Sequence, residues 1–333
     1  MHRKILVTGG AGFIGSHLVE RLLAAGDEVI VLDDLSSGRR CNLPAGLRLV
    51  PGDVLDAELL GSLLVGVDCV IHLAARVSVQ LCITDWMAAH RVNLGGTIAV
   101  LQAAQRAGNV PVVYASTAAV YGNRSGTDCR ETDLPLPISP YAADKLACEH
   151  QARAMAEVHG LASVGLRFFN VYGPRQDAAS PYAGVISKFC ANRLADRPHL
   201  IFGDGLQSRD FIYVADVVDG LLRAADHVAG QGGAEVFNLC TGTETTLLEL
   251  AAQIDRVAGR GTSAIDHAPS HRHPHVQSTY VRSGRYRFTL DGRAFEVGPG
   301  DAFVIPSGAV HGCTCLEAGE LIDSFTPRRD DFL

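Results

Sequence analysis

The chain has 333 residues, of which 47% are hydrophobic and 20% charged, and its formal net charge is -7 at pH 7. This length is sufficient for two domains with a substantial core, and the acidic balance provides no basic footprint for nucleic acid. No run of about 18 apolar residues predicts a membrane span, and the first residues lead into an apolar strand rather than a signal peptide. The nine cysteines are odd in number and include no C-x-x-C pair, which favours a reduced, cytoplasmic setting over a disulfide framework.

The first predicted elements are a short apolar strand, a glycine-rich turn and a helix with apolar residues at helical spacing, over residues 4–23. Gly9, Gly12 and Gly15 fit the needs of a tight turn, of close backbone approach to a pyrophosphate and of close helix packing. The N–H groups at the start of such a helix favour a phosphate group. With Phe13 and Ile14, these glycines are the predicted first contacts of a dinucleotide.

An acidic residue follows the second predicted strand, which covers residues 28–32. The carboxylate of Asp33 is suited to bind the hydroxyls of an adenosine ribose and would repel a 2′-phosphate, which favours NAD over NADP. Arg39 and Arg40 lie close enough in sequence to weaken that preference. Strand, turn, helix and acidic residue together predict dinucleotide binding far more specifically than the glycines alone.

Further strands and helices alternate along the chain, as in a doubly wound parallel sheet. Predicted strands at residues 47–50, 69–72 and 111–115 are each followed by small or polar residues, and a predicted helix at 90–107 contains Asn93. Ligands of open α/β sheets bind beyond the carboxyl ends of the strands, so we expect the cofactor at this edge. The residues expected there after these strands are Asp53, Val54, Leu73, Ala74, Ala75, Ser116 and Thr117.

Tyr141 and Lys145 are four residues apart and therefore lie on one face of a predicted helix. A free phenol has a pKa of about 10, which is too high for a base at neutral pH. A neighbouring ammonium group, helped by an oxidised nicotinamide ring, would stabilise the phenolate and lower this pKa. Thr117, at the end of the preceding strand, is placed to relay a proton between a substrate hydroxyl and the phenolate. The pattern predicts a Tyr–Lys pair that removes a proton from an alcohol.

Nine motifs stand in order between residues 8 and 218: TGGAGFIGSHL, DDLSSG, GDV, HLAA, NLGGT, ASTAAVYG, SPYAADK, LRFFNVYGPR and FGDGLQSRDFIYVADVV. Together they resemble the extended short-chain dehydrogenase/reductase family, in particular nucleotide-sugar epimerases of the UDP-glucose 4-epimerase type. The resemblance implies an α/β fold, a Rossmann-type doubly wound parallel sheet with a small substrate region. It also implies bound NAD, a UDP-sugar substrate and a cytoplasmic role in carbohydrate metabolism. A homodimer is implied as well, built from the helix near residues 90–107 and the helix that starts at Tyr141.

The resemblance also implies roles for individual residues. The implied catalytic residues are Thr117, Tyr141 and Lys145. At the cofactor it adds Asp34, Ser37, Gly38 and Asn93, and it includes Ser116, Tyr141 and Lys145 among the contacts. The implied substrate contacts are Ser78, Thr117, Phe168, Asn170 and Arg209. A planar guanidinium fork such as that of Arg209 suits a diphosphate.

Two alanines follow Thr117, and this detail selects a reaction within the family. The sugar 4,6-dehydratases that resemble this chain carry an Asp–Glu pair there, and UDP-glucuronate decarboxylases carry a Glu, whereas Ala118 and Ala119 supply neither acid nor base. The resemblance therefore implies an isomerase, a 4-epimerase that oxidises the sugar to a 4-keto intermediate and reduces it again from the other face. Two alternatives stay open: another NAD(P)-dependent sugar or alcohol oxidoreductase, and a fusion with impaired catalysis that acts as a binding or scaffold protein.

Residues 267–333 resemble a different family, the cupins, which form an all-β jelly-roll barrel. The first cupin motif fits His271, His273, Gln277 and Gly284, and the second fits Gly300, Pro306, Gly308 and His311. Neutral imidazoles with an amide oxygen suit a divalent transition metal. The resemblance thus implies a metal site formed by His271, His273, Gln277 and His311.

Both resemblances are incomplete at one junction, near residues 262–270. The epimerase-like part lacks the expected C-terminal tail, and the cupin-like part lacks the strands that normally precede its first motif. The sequence therefore predicts a fusion of two domains, 1–262 for NAD binding and epimerisation, and 267–333 for a partial jelly roll.

Overall fold

The computed structural model describes residues 2–123, 128–177, 184–201, 205–230, 232–259, 261, 263–267 and 275–327, without the side chains of residues 79–81. The chain divides into two compact units. The first comprises Met1–Lys188 and Arg209–Glu244, and the second comprises Phe189–Ser208 and Thr245–Leu333. Within the described ranges, no helix combines the length and the apolar character that crossing a membrane requires.

Strands are numbered along the whole chain. They are β1 (Lys4–Thr8), β2 (Glu28–Asp33), β3 (Arg48–Pro51), β4 (Cys69–His72), β5 (Val112–Thr117), β6 (Ser163–Phe168), β7 (Asn170–Tyr172), β8 (His199–Ile201), β9 (Ser208–Tyr213), β10 (Ala234–Leu239), β11 (Glu244–Thr246), β12 (Ile265–His267), β13 (Val276–Val281), β14 (Arg285–Leu290), β15 (Arg293–Val297), β16 (Ala302–Ile305), β17 (His311–Glu317) and β18 (Leu321–Thr326).

Helices are numbered in the same way. They are α1 (Phe13–Ala24), α2 (Ala57–Leu63), α3 (Val79–Thr84), α4 (Trp86–His90), α5 (Gly96–Arg106), α6 (Pro140–His159), α7 (Val185–Leu194), α8 (Val214–Val228) and α9 (Leu247–Val257). A π-helical turn, Arg91–Gly95, joins α4 to α5, and single 3₁₀ turns cover Arg40–Asn42 and Ala118–Tyr121.

The first unit is organised around a seven-stranded sheet with the order β10-β6-β5-β4-β1-β2-β3. Every neighbouring pair in it is parallel. The four residues of β4 and all but the first residue of β1 and β2 are buried. Near-continuous burial is typical of parallel strands that are covered on both faces.

Helices cover both faces of this sheet. Leu22 of α1 and Leu221 of α8 belong to one buried cluster, and Leu60 of α2 and Leu101 of α5 belong to another. This arrangement confirms the doubly wound, Rossmann-type fold that the sequence predicts.

The local sequence sets both ends of α6, which carries the predicted Tyr–Lys pair. Ser139 Oγ accepts a hydrogen bond from the backbone N–H of Ala142 at 3.2 Å, and Pro140 occupies the first turn, where a missing N–H costs little. Gly160 ends the helix in the left-handed conformation, with φ of 70°.

In the second unit, a buried carboxylate joins α7, α9 and the segment before β12. Asp255 accepts hydrogen bonds from Ser263 N at 2.6 Å and Ser263 Oγ at 2.7 Å. Arg193 Nε lies 3.1 Å from the same carboxylate. Strand β12 pairs in parallel with β8, so this small region is held by both backbone and side-chain contacts.

We call residues 275–327 the β module. Its strand β13 pairs antiparallel with β16 and β18, and β14 pairs antiparallel with β15 and β17. Exposed and buried residues alternate along β13, as expected for a strand with one covered face. The buried core consists of Val281, Tyr286, Phe288, Val297, Ile305 and Ala309. These antiparallel sheets confirm the predicted all-β character of the C-terminal part.

Candidate active site

A cavity of about 340 Å³ lies at the carboxyl edge of the seven-stranded sheet. Its walls come from the ends of six strands, β1 to β6, and the turns that follow them, together with α6. This is the edge at which the sequence analysis expects the cofactor. The expected residues that line it are Gly9, Gly12, Phe13, Ile14, Gly15, Asp33, Asp34, Ser37, Asp53, Val54, Leu73, Ala74, Ala75, Ser116, Thr117, Tyr141, Lys145 and Phe168.

The turn after β1 is packed too closely for side chains at two of its glycines. Gly9 has a φ of +70°, and a Cβ there would lie 2.6 Å from the backbone nitrogen of Ala74. A Cβ on Gly15 would lie 2.2 Å from the carbonyl oxygen of Gly9. The turn leads into α1, whose first turn contains no acidic residue. The start of α1 therefore presents backbone N–H groups and a positive dipole end to the cavity, which suits a pyrophosphate.

The Asp33 carboxylate links the loop after β2 to this glycine turn. Its Oδ2 accepts a hydrogen bond from Ala11 N, and its Oδ1 accepts one from Leu35 N, both at 2.9 Å. Burial raises the pKa of Asp33, and these two hydrogen bonds oppose the rise. Gly38 does not line the cavity but packs behind this carboxylate, because a Cβ there would lie 2.8 Å from Asp33 Oδ1.

The two arginines that follow this loop are engaged away from the cavity. Arg39 Nη2 donates to Asp177 Oδ2 at 3.0 Å. Arg40 Nη1 donates to the carbonyl oxygens of Leu43 and Pro44 at 3.4 and 3.3 Å. Neither arginine lines the cavity. Neither is therefore placed to bind a 2′-phosphate and so to weaken the preference for NAD that Asp33 provides.

Tyr141 and Lys145 project from α6 and line the cavity together. The Tyr141 side chain is hydrogen-bonded with Thr117, and Lys145 Nζ donates to the carbonyl oxygen of Ala115 at 2.9 Å. Both groups that are expected to move the substrate proton therefore meet the end of β5. Burial lowers the pKa of Lys145.

The pKa of Tyr141 differs from the expectation. Burial raises it, the nearby thiols of Cys82 and Cys148 add to the rise, and the hydrogen bond with Thr117 opposes it. We expected Lys145 to lower this pKa, but removal of the phenolate from water, the largest cause, raises it. An additional positive charge in the cavity, such as an oxidised nicotinamide ring, would be required to lower it.

A buried chain of hydrogen bonds lies behind the cavity wall. His72 Nδ1 lies 2.7 Å from Thr8 Oγ1, and His72 Nε2 lies 3.1 Å from Thr97 Oγ1. Because the Thr97 hydroxyl donates to the carbonyl oxygen of Asn93 at 2.7 Å, it accepts from His72 Nε2, which leaves Nδ1 to accept from Thr8. Burial, together with the charge of Lys145, lowers the pKa of His72 to about 3. The imidazole is therefore neutral near pH 7.

Asn93 is expected to contact the cofactor, but it does not line the cavity. Its Oδ1 accepts from Arg76 N at 2.8 Å, and its Nδ2 donates to the carbonyl oxygen of Arg76 at 3.1 Å. Arg76 and Val77 do line the cavity. Asn93, in the π-helical turn Arg91–Gly95, therefore fixes the backbone of Arg76 in the cavity wall. This part of the wall was not predicted from the sequence.

Two of the five expected substrate contacts, Thr117 and Phe168, line the cavity, whereas Ser78, Asn170 and Arg209 do not. Asn170 is on β7, whose parallel partner β9 carries Arg209, and Asn170 Nδ2 donates to the carbonyl oxygen of Asp210 at 3.1 Å. Several other wall residues were not predicted from the sequence. These are Leu32, Ser36, Gly52, Arg76, Val77, Val92, Ala115, Phe169, Val171 and Gln176.

The predicted metal ligands of the C-terminal part are only partly described. His271 and His273 lie outside the described residues, whereas Gln277 and His311 are buried in the β module. Gln277 Nε2 donates to Thr279 Oγ1 at 3.1 Å and to Asp323 Oδ1 at 3.0 Å. Among the described residues, no group of three or more His, Cys, Asp or Glu side chains is arranged to hold a metal ion. The metal site stays a prediction from the sequence.

Fold and site together define an α/β enzyme that binds a dinucleotide and carries a Tyr–Lys pair. The profile of the NAD dependent epimerase/dehydratase family matches residues 5–240, and the profile of the cupin domain matches residues 264–323. The chain belongs to the NAD dependent epimerase/dehydratase family.

Individual relatives indicate which reactions are found among similar proteins. A UDP-glucose 4-epimerase of Mycolicibacterium smegmatis is 41% identical over 274 residues, which are 80% of this chain and 86% of that protein. The structure of a Thermotoga maritima UDP-glucose 4-epimerase with UDP-glucose is similar with a TM-score of 0.74 and 37% identity, over 80% of this chain and 85% of that one. A dTDP-glucose 4,6-dehydratase of Streptomyces venezuelae with NAD bound gives a TM-score of 0.72 and 36% identity, over 80% and 84%. The family likeness thus includes more than one reaction.

Proposed function

We propose that this protein is an NAD-dependent nucleotide-sugar 4-epimerase that acts on a UDP-sugar through a 4-keto intermediate. The observation that carries the choice is the pair of alanines, Ala118 and Ala119, directly after Thr117. A dehydratase needs an acid and a base near the sugar to eliminate water, and a methyl group provides neither.

The charged residues of the cavity support this choice. Among the residues that the structure describes, the acidic ones that line it are Asp33, at the end of β2, and Asp34 and Asp53, which follow β2 and β3. In the sheet order, β2 is separated from β5 by two strands, which amounts to roughly 14 Å at about 4.8 Å per strand spacing. These carboxylates are therefore too far from the end of β5 to serve as an acid–base pair beside Thr117. Oxidation and re-reduction at one carbon, with NAD as the hydride acceptor and donor, need no acid or base beyond the Tyr–Lys pair.

The residues of the cavity fit NAD, because the glycine turn, the uncapped start of α1 and Asp33 lie along one edge. When bound, NAD supplies a hydride acceptor that later returns the hydride. Asp33 and the glycine turn orient the adenosine and pyrophosphate parts. Tyr141 takes the proton of the sugar 4-hydroxyl, directly or through Thr117, and returns it after the 4-keto sugar has turned its other face. Lys145, hydrogen-bonded to Ala115, adds positive charge that favours the phenolate.

The test is an NMR assay with UDP-glucose, UDP-galactose and a panel of GDP- and dTDP-sugars, without added cofactor. Interconversion of 4-epimers of a UDP-sugar by protein that retains NAD is the expected result. Net consumption of exchangeable cofactor would instead identify an oxidoreductase, and loss of water from the sugar would identify a dehydratase. Absence of bound cofactor and of turnover would favour a binding or scaffold protein. Each of these three outcomes contradicts the proposal.

A homodimer is part of the same proposal. Trp86 and Met87 begin α4 with exposed fractions of 57% and 76%, and Ile83 just before them is 43% exposed. Large apolar side chains clustered at the surface often mark an interface, and α4 leads into the segment near residues 90–107. The hydrodynamic mass of the purified protein should correspond to two chains, and a monomer at micromolar concentration would contradict this.

A metal in the predicted domain 267–333 is a separate proposal. His311 Nδ1 donates to the carbonyl oxygen of Ala309 at 2.9 Å, which leaves Nε2 as the unprotonated nitrogen and so suits a metal ligand. With His271, His273 and Gln277, it would hold a divalent transition metal. Elemental analysis of protein purified without a His tag should give about one metal per chain, and His311→Ala should remove it. Metal content that is absent, or unchanged by this substitution, would contradict the site.

A further inference from the structure

Helix α6 carries a third polar residue in line with Tyr141 and Lys145. Glu149 follows at the same spacing of four residues, so all three lie along one face of the helix. Each of them contacts a different residue at the end of β5. Tyr141 contacts Thr117 and Lys145 contacts Ala115. Glu149 contacts Ser116, which lies between these two. The helix and the end of β5 are thus joined by three successive hydrogen bonds, of which Glu149 makes the third.

The contact of Glu149 reaches a residue of the cavity wall. Ser116 lines the cavity, and its hydroxyl donates to Glu149 Oε1 at 2.5 Å. A serine hydroxyl has a single proton to donate, so Ser116 directs that proton away from the cavity and toward α6. Glu149 itself is 7% exposed and does not line the cavity.

Buried arginine and tyrosine side chains hold this carboxylate in place. Arg167 donates from Nε to Glu149 Oε1 at 3.0 Å and from Nη2 to Oε2 at 2.7 Å. Its Nη1 donates to the hydroxyl of Tyr121 at 2.8 Å, and that hydroxyl donates to Asn238 Oδ1 at 2.7 Å. A bidentate pair of this kind fixes both the position and the plane of a carboxylate. Glu149 is therefore a rigid acceptor for the Ser116 hydroxyl.

We propose that Glu149 is a positioning residue for the Tyr141–Lys145 site and that it acts through Ser116. Ser116 lies between Ala115 and Thr117 in β5. The carbonyl oxygen of Ala115 accepts a hydrogen bond from Lys145 Nζ, and Thr117 is hydrogen-bonded with Tyr141. A rotation of the backbone at Ser116 would therefore move the contacts of Lys145 and Tyr141 at the same time. The inference rests on the proposed epimerase function, for which this site supplies the proton transfer.

A double-mutant cycle on kcat tests the proposal. Ser116→Ala removes the donor and leaves the Arg167–Glu149 pair intact. Glu149→Gln replaces one carboxylate oxygen with an amide group that cannot accept from Arg167. Each change should lower kcat by roughly 10- to 100-fold, the size of a hydrogen bond to a charged group, with the KM for the sugar nearly unchanged. The double variant should be no slower than Glu149→Gln, because both changes break the same contact.

Asp27→Asn is the matched control. Asp27 is also 7% exposed and lies 3.1 Å from an arginine, Arg3 Nη2, but it is at the opposite, amino edge of the sheet. This change should lower the melting temperature without lowering kcat per folded chain. Wild-type kcat in Ser116→Ala would overturn the proposal, and so would a double variant whose loss equals the product of the two single losses.

A second measurement does not depend on turnover. Titration of tyrosinate absorbance, taken as the difference from Tyr141→Phe, gives the ionisation of Tyr141 in the purified protein. Ser116→Ala and Glu149→Gln should shift this midpoint in the same direction while leaving the neighbouring thiols of Cys82 and Cys148 in place. Midpoints unchanged in both variants would overturn the positioning role. A protein that shows the shift but epimerises no nucleotide sugar would refute the proposed function and not the role of Glu149.

Discussion

The seven-stranded sheet and the β module place their polar residues in different ways. In the sheet, Thr8, Asp33, His72 and Thr117 are each the last residue of a strand, and parallel strands bring all their last residues to one edge. In the β module, Gln277 and its neighbours lie along a strand whose residues alternate between two faces. Placement along antiparallel strands depends on register, since a shift of one residue turns every side chain to the other face. A motif at strand ends is therefore easier to interpret from sequence than one within strands.

Their cores differ as well. The sheet has a large buried cluster on each face, whereas the described core of the β module has six buried apolar residues. A domain with a small core has a small free energy of unfolding. Substitutions at the edge of the sheet should therefore affect mainly chemistry, and core substitutions in the β module should affect mainly folding. The following predictions test that difference.

Tyr141→Phe should have the largest effect on chemistry. The change removes the proton acceptor from the cavity and leaves the packing of α6 almost unchanged, so turnover should fall by about 10²–10⁴-fold, as is typical for loss of a general base. Retained NAD and an unchanged melting temperature are expected alongside. Near-normal epimerisation by this variant would refute the mechanism.

Phe288→Ala should have the largest effect on folding of the β module. Phe288 is 3% exposed, and its ring centroid lies 4.6 Å from that of Phe303 and 6.1 Å from that of Phe295. Truncation of a buried phenylalanine costs about 3–5 kcal/mol, which is large relative to so small a core. Limited proteolysis should show cleavage within residues 275–327 while bound NAD is retained. If NAD is lost as well, the two parts do not fold independently.

His72 should make stability depend on pH. Its pKa is about 3 in the folded chain against 6.5 as the ordinary value, so the unfolded chain binds more protons between these pH values. The free energy of unfolding should therefore fall as the pH decreases from about 6.5 toward 3, by up to about 1.4 kcal/mol per pH unit from this group. Denaturant titrations of His72→Asn should show a smaller pH slope between pH 7 and 5. Equal slopes would mean that His72 is protonated in the folded chain.

Asp33→Asn should have the smallest effect, confined to cofactor choice. Loss of the negative charge removes the repulsion of a 2′-phosphate, and the ratio of NADP to NAD affinity should rise by about tenfold, the equivalent of 1.4 kcal/mol. Calorimetric titration with both cofactors measures it. Glu28→Gln serves as the control, because Glu28 is an exposed acidic residue at the other end of β2 and does not line the cavity.

The sequence predicted the parts of the site that are local in the chain. The glycine turn, Asp33 and the Tyr141–Lys145 pair each occupy one short motif, and all of them line the cavity. The contact between Ser116 and Glu149 joins residues 33 apart, and no motif spacing reports which residue of α6 meets which residue of β5. The orientation of Asn93 and the raised pKa of Tyr141 escaped prediction for a related reason, since both depend on burial by distant segments.

The position of Trp86 has a consequence for optical experiments. It is the single tryptophan of the chain and sits at the exposed start of α4, outside the set of residues that line the cavity. Its emission will therefore report the solvent around that helix and not the occupancy of the cofactor pocket. A shift of the emission maximum to shorter wavelength on concentrating the protein would be an optical signal of chain–chain association, readable without any label and independent of catalysis.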